Sequence, residues 1–315
     1  MVKSNLLAQM HGPFYTIFTP FDKGFAVDYD ALDYYLRKLY EQGARRFYAM
    51  AYNSRYGLLS DDEILQLNNH CVSVLKRMDP TNLVVVGDPI LGPTSKSVEF
   101  AKIAKDTGAD LVSILFQEKF FSDDQVLEHY FEVGSKSGMP IMVHEMPLTS
   151  GYDGGQIHWP TSLIDALRKV ESVVAIKEDS KNFALTSRAL QLEPDIRIVI
   201  AGSKKSFLPF YKLGARAYLN GISIIDAGIG EYFWRALEQE EERKVSDLIE
   251  QVEDPFFDLL VSKFGWHRVN KAILEAAGYM PRRERLPMVQ LNDSEQSEVA
   301  EIYALMKNNW DKLRS

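Results

Sequence analysis

The chain has 315 residues, 46% hydrophobic and 25% charged, with a formal net charge of -8. That composition is globular, and the length suffices for a large buried core, in one α/β barrel or two smaller domains. The acidic balance, with no Lys/Arg-rich block, weighs against a nucleic-acid or anionic-membrane partner. The single cysteine, Cys71, cannot form an internal disulfide, which fits a reducing, cytoplasmic compartment. The opening stretch lacks the apolar core of a signal peptide, and no apolar run approaches the roughly 20 residues of a membrane span.

Taken in chain order, apolar runs alternate with amphipathic ones. A strand is predicted at Phe14–Pro20, a helix at Asp28–Glu41, a strand at Arg46–Ala51 and a helix at Asp61–Lys76. Cys71 lies on the apolar face of that helix and reads as a core residue. Strand Leu83–Asp88 leads to helix Thr94–Thr107, and strand Leu111–Phe116 to helix Asp123–Ser137. Strand Pro140–Glu145 precedes helix Thr161–Lys169; strands Val173–Glu178 and Ile196–Gly202 follow, then helix Ser203–Leu213 and strand Ala215–Gly221. Gly43, Gly108, Gly138 and Gly214 stand where helices should close, and Ser, Thr or Asp opens the next. Beyond Gly221 the pattern is helical, at Ala227–Val252, Trp266–Ala277 and Ser294–Lys312. Eight strand-then-helix units predict a parallel (β/α)8 barrel over 1–225. Residues 226–315 are expected to supply its last helix and a C-terminal helical extension. The alternative is an open doubly wound sheet, but Thr19-Pro20-Phe21-Asp22 stands where its Gly-rich dinucleotide loop belongs.

In such barrels chemistry gathers at the carboxyl ends of the strands. Those positions hold Thr19, Tyr52, Asn53, Asp88, Gln117, Glu118, His144, Glu145, Lys177, Gly202, Ser203, Asn220 and Gly221. Lys177 ends the β-branched run Val173-Val174-Ala175-Ile176, a strand buried on both faces. Burial disfavours the ammonium and lowers its pKa, and a neutral amine attacks a ketone to form a Schiff base. The plain alternative is a snorkelling lysine whose head reaches solvent or a carboxylate. His144, ending the fifth strand, titrates near neutrality and suits proton transfer. Asp88, Glu118, Glu145 and Glu178 offer oxygen ligands for a divalent cation. Alternation argues against that set: with Lys177 and His144 inside the barrel, Glu178 and Glu145 must face the helices.

These residues resemble the dihydrodipicolinate synthase / N-acetylneuraminate lyase family of class I aldolases. The resemblance rests on Gly12–Phe21, on Leu59-Ser60-Asp61-Asp62-Glu63, and most specifically on Val174-Ala175-Ile176-Lys177-Glu178-Asp179-Ser180. Ala201-Gly202-Ser203 and the C-terminal stretch from Asn270 to Pro287 add to it. It implies a (β/α)8 barrel with C-terminal helices, assembled as a homo-oligomer, a tetramer or dimer. The implied chemistry is a lysine Schiff base with a pyruvate-type 2-oxo acid, and the implied second substrate is an aldehyde.

Four departures matter. The family's Gly-Thr-Thr-Gly-Glu becomes Ala51-Tyr52-Asn53-Ser54-Arg55, and its tyrosine after strand five becomes His144. The arginine that grips a second carboxylate becomes Thr149, and Gln117 and Glu118 replace paired tyrosines. True dihydrodipicolinate synthase activity is therefore not expected.

The resulting expectation is a lyase or aldolase with Lys177, His144 and Tyr52 as catalytic residues. Asn53, Gly202, Leu219 and Arg55 are expected to bind substrate, Arg55 as a replacement carboxylate clamp. No metal or organic cofactor is required. The competing readings are a dehydratase or hydratase-aldolase using the same imine, and a non-catalytic 2-oxo-acid binding protein.

Overall fold

The computed structural model describes residues 2–50, 52–115, 121–145, 148–150, 155–219 and 221–315, excepting the side chains of residues 2, 52, 56, 148–150 and 155–157. Helix α1 (Val2–Gln9) precedes strand β1 (Gly12–Thr16), α2 (Tyr29–Glu41) and β2 (Arg46–Tyr48). Next come α3 (Asp61–Met78), β3 (Leu83–Gly87), α4 (Thr94–Thr107), β4 (Leu111–Ile114), α5 (Asp123–Ser137) and β5 (Ile141–Glu145). A small antiparallel hairpin, β6 (Leu148–Ser150) with β7 (Gly155–Ile157), interrupts the alternation before α6 (Thr161–Ala166). Then follow β8 (Val173–Glu178), α7 (Phe183–Ala189), β9 (Arg197–Ala201), α8 (Lys204–Lys212) and β10 (Ala217–Leu219).

Apart from the hairpin, the strands close into one parallel barrel in the order β1-β10-β9-β8-β5-β4-β3-β2. This is the (β/α)8 architecture expected from the sequence, and each of the eight strand readings coincides with a barrel strand. Strands β1 and β2 end earlier than predicted. Their continuations still bond to neighbours, Ile17 N donating to Tyr48 O and Ala49 N to Val85 O, before the chain turns away.

Local signals explain the regularity. Ser60 and Ser122 each form a reciprocal capping box, with Glu63 and Gln125, at the starts of α3 and α5. Gly138 closes α5 at φ 64°, a conformation costly for any residue with a Cβ. Two apolar cores result. One, with Leu36, Val72, Val84, Phe207 and Phe233, lies between the strands and the helices. Cys71 belongs to it, its thiol pushed up to about 12 by burial. The other, with Phe14, Val85, Leu111, Met142 and Val199, fills the barrel interior, and Leu6 and Met10 of α1 join it.

The C-terminal layer comprises α9 (Ala227–Glu238), α10 (Glu242–Leu248), two π-helical turns (Ile249–Glu253 and Phe256–Val261), α11 (Ser262–Phe264), α12 (Trp266–Ala276) and α13 (Asp293–Leu313). It is pinned to the barrel by buried polar contacts. Lys271 donates to Thr19 O at 2.8 Å, and Tyr15 OH donates to Ala227 O at 2.9 Å. Lys204 meets Glu253 at 3.3 Å, both nearly inaccessible, and Glu253 also accepts the Lys204 backbone N–H at 2.6 Å. Among the described residues no helix is long and apolar enough to cross a membrane.

Candidate active site

Strand β8 carries Lys177 one residue before its end. Lys177 is paired in register with His144 on β5 and Val199 on β9. The alternation of a strand sends Lys177 into the barrel and Glu178 outward. Accordingly Glu178 accepts from Thr186 of α7 at 2.7 Å, and the Trp159 N–H, outside the sheet, points to Glu145 at 3.4 Å. The cation site considered from sequence is therefore dispersed: Glu145 and Glu178 leave the barrel, and Glu118 lies outside the described residues. Among the described residues no three His, Cys, Asp or Glu side chains are grouped to hold a metal.

Lys177 is 3% exposed, and its amine has two polar neighbours. His144 Nε2 lies 2.7 Å away, and Asp179 Oδ2 accepts from it at 2.7 Å. Behind His144, Nδ1 faces Tyr48 OH at 3.5 Å, and that hydroxyl is bonded to Ser113. Asp179 is held on its other oxygen by Lys181 at 2.6 Å, and Lys181 also donates to Ala201 O. Two effects compete at Lys177. Burial lowers the proton affinity of the amine, the Asp179 carboxylate raises it, and burial prevails, leaving the amine below its ordinary value. Asp179 is half-buried, its side chain 23% exposed, and the two lysine cations hold its carboxyl well below the usual range.

A cavity of about 620 Å³ opens beside this amine at the carboxyl end of the barrel. Its barrel wall carries Thr16, Asn53, Lys177, Asp179, Gly202 and Leu219. Ser203, Lys205 and Ser206, where α8 begins, form a second wall, and Asp254, Phe257, Asp258, Val261 and Trp266 of the C-terminal layer form the third. Gly202 has φ 158°, and a Cβ there would come within 2.6 Å of Ser206 Oγ, so a side chain would crowd this turn. Asn53 is locked at both ends of its amide: Nδ2 donates to Thr16 Oγ1 at 2.5 Å, and Oδ1 accepts from Trp266 Nε1 at 2.8 Å. Phe257 and Trp266 stack with centroids 6.1 Å apart. One end of the cavity is thus nucleophilic and charged, and its far side is partly aromatic.

The structure brings Lys177, Asn53, Gly202 and Leu219 to one cavity, with His144 directly behind the amine. Arg55 does not line it. Its guanidinium is instead one of the charges depressing the proton affinity of His267, an imidazole buried against Glu284 at 2.8 Å. Tyr52 opens a short 3-10 turn, Tyr52–Ser54, and its side chain lies outside the described residues, as do Gln117 and Asn220. Sequence reasoning passed over Asp179, Thr16 and the C-terminal wall. Asp179 carried a usable signal, standing two residues after Lys177 and so on its side of an extended chain. Trp266 and Phe257 carried none, because a helical aromatic reads equally well as core.

Residues 9–305 match the profile of the dihydrodipicolinate synthetase family. The 4-hydroxy-tetrahydrodipicolinate synthase of Archaeoglobus fulgidus is 23% identical over 287 residues, covering 90% of this chain and 94% of that one. The enzyme of the same name from Oceanobacillus iheyensis is 24% identical over 282 residues, covering 88% and 90%. The dihydrodipicolinate synthase structure of Bacillus clausii superposes with a TM-score of 0.82 at 19% identity, covering 96% of this chain and 99% of that one. The N-acetylneuraminate lyase of Mycoplasma synoviae superposes with a TM-score of 0.80, also at 19% identity, covering 94% and 97%. Those superpositions carry the barrel, and the match over nearly the whole length carries the kinship: this chain belongs to the dihydrodipicolinate synthetase family.

Proposed function

We propose that the protein is a lyase or aldolase that joins Lys177 to the ketone of a pyruvate-type 2-oxo acid as a Schiff base. The observation that supports this best is a buried amine, below its ordinary proton affinity, beside a cavity with room for three carbons and a second reactant. His144, 2.7 Å from the nitrogen, moves protons between amine, carbinolamine oxygen and substrate carbon. Asn53, Gly202, Leu219 and Tyr52 surround the 2-oxo acid in this reading. The iminium withdraws the electron pair of the bond being made or broken, so the chemistry calls for no metal or organic cofactor.

The second substrate is an aldehyde, or the same iminium undergoes dehydration or hydration-aldol chemistry. It is not the carboxylate-bearing second substrate of a true dihydrodipicolinate synthase, because Thr149 stands where the carboxylate-gripping arginine would be. The partly aromatic wall at Phe257 and Trp266 favours a bulkier partner. Assembly as a cytoplasmic homo-oligomer belongs to the same reading.

One observation favours the competing, non-catalytic reading: the contact with Asp179 at 2.7 Å favours the ammonium form of Lys177, which binds carboxylates but does not attack ketones. Incubation with a panel of 2-oxo acids, reduction with borohydride and peptide mass analysis separates the two. An adduct on Lys177, absent in Lys177→Ala, together with pyruvate proton exchange in deuterated solvent, is the expected result. Tight pyruvate binding with neither adduct nor exchange would establish the binder instead.

A further inference from the structure

We propose that Asp179 is a catalytic carboxylate of this site, the acid-base group for dehydration of the carbinolamine and the counter-ion of the iminium, with Lys181 holding it in place. The inference rests on the Schiff-base reading above and extends it to a residue outside the family-derived set of roles. Three observations carry it. Asp179 lines the cavity and touches the reacting nitrogen at 2.7 Å. It reaches that nitrogen with Oδ2, while Oδ1 is anchored by Lys181 at 2.6 Å, so one oxygen is fixed and the other is left for chemistry. Lys181 is itself fixed, donating to Ala201 O at 2.6 Å and adopting φ 56°, an uncommon conformation for a lysine. Its partners thus aim it at Asp179.

The division of labour follows from the two acceptors around Nζ. The ammonium first gives a proton to Nε2 of His144, leaving a neutral amine and an imidazolium. The nitrogen lone pair then forms the N–C bond to the ketone carbon as the C=O π pair moves onto oxygen. The imidazolium returns its proton to that oxygen, giving a hydroxyl and a positively charged nitrogen with two hydrogens. Asp179 removes one of those hydrogens as a proton and delivers it to the hydroxyl. The C–O bond breaks, water departs, and the nitrogen lone pair forms the C=N bond. The sum is ammonium plus ketone to iminium plus water, with charge conserved and both His144 and Asp179 returned to their starting states. A carboxylate 2.7 Å from the nitrogen then faces the fixed positive charge of the iminium, where a neutral residue would leave it uncompensated in a buried site.

The test uses the full chain with pyruvate as probe, following the borohydride-trapped adduct at Lys177 by mass and methyl-proton exchange by solvent deuterium, both across pH. Asp179→Asn is expected to form the trapped adduct about 10²-fold more slowly, the range typical of a lost acid-base group. Lys181→Met removes an exposed side chain, so the fold is not at stake. It is expected to shift the acid limb of the exchange profile to higher pH, because Asp179 loses a cation that keeps it ionised. A parent-like rate in folded Asp179→Asn, or an acid limb unmoved in Lys181→Met, would overturn the proposal. Should Asp179→Asn not fold, the Lys181→Met profile decides alone. Absence of any adduct in the parent chain is a different result and sinks the Schiff-base reading together with this one.

Discussion

A proton leaving Lys177 has two acceptors at 2.7 Å, and they differ in kind. Asp179 is anionic, clamped by Lys181, and of low proton affinity, so it is a poor resting place for that first proton. His144 is an imidazole whose Nε2 meets the amine directly and whose Nδ1 faces the Tyr48 hydroxyl, which suits it to hold a proton for one step. His144→Ala is therefore expected to lower pyruvate exchange in deuterated solvent by about 10²-fold while the borohydride adduct at Lys177 still forms. Exchange at the parent rate would show that imidazole merely fills space. At this scale the sequence was informative wherever strand alternation applied. The period of two is enough to put Lys177 and His144 inside and Glu178 and Glu145 outside. It weakened past the last strand residue, Glu178: the period still puts Asp179 on the side of Lys177, but nothing in the residue types says that the extended path persists that far. Arg55 illustrates a second limit. It follows a short 3-10 turn at φ 57°, and no periodicity tells where such a side chain points.

Each strand-helix unit also has to settle the polar groups at its junction, and the third unit does so with a buried acid. Asp88 follows β3, and Ser97 of α4 donates to it at 2.5 Å. Burial nevertheless dominates and pushes its carboxyl up to about 7. Below the unfolded value near 4 both states are neutral and the stability is fully present. As pH rises from about 4 to about 7 the unfolded chain ionises first, so stability falls by about 1.4 kcal/mol per unit, about 4 kcal/mol in all. Asp88→Asn stays neutral and retains an oxygen acceptor for Ser97. Denaturant unfolding at pH 4, 6 and 8 is expected to show variant and parent converging at pH 4, with the variant increasingly more stable above it. A gap that does not change with pH would refute the buried-acid account. The helices themselves were legible because their ends are written in residue types: serine with Glu or Gln three later at the start, glycine at the finish. The π-helical turns and the β6–β7 hairpin were not. A π turn differs from an α turn only in hydrogen-bond spacing, which leaves no mark on an apolar pattern, and three-residue strands are too short to show a period.

At the scale of the whole molecule the open question is whether residues 226–315 form a separable layer or one cooperative body with the barrel. The site argues for one body. Its third wall, Phe257 to Trp266, belongs to the C-terminal layer, while its nucleophile belongs to β8, so the cavity exists only when both are in place. The buried links between them are polar and specific: Tyr15 OH to Ala227 O at 2.9 Å, Lys204 to Glu253 at 3.3 Å, Lys271 to Thr19 O at 2.8 Å. Opening the layer would take Lys271 from its barrel acceptor Thr19 O and part the Glu253 carboxylate from Lys204 of α8. Breaking a buried pair of this sort costs about 3–5 kcal/mol, so partial unfolding along this seam is disfavoured. Hydrogen exchange read peptide by peptide is therefore expected to give the same opening free energy for the slowest amides of β1 and β8 as for those of α12. Pyruvate at about 100 times its dissociation constant should raise all of them together, by about 2.7 kcal/mol. If α12 instead opened at lower free energy and gained nothing from pyruvate, the layer would be an independent lid. The aromatic wall would then select no substrate in the resting protein.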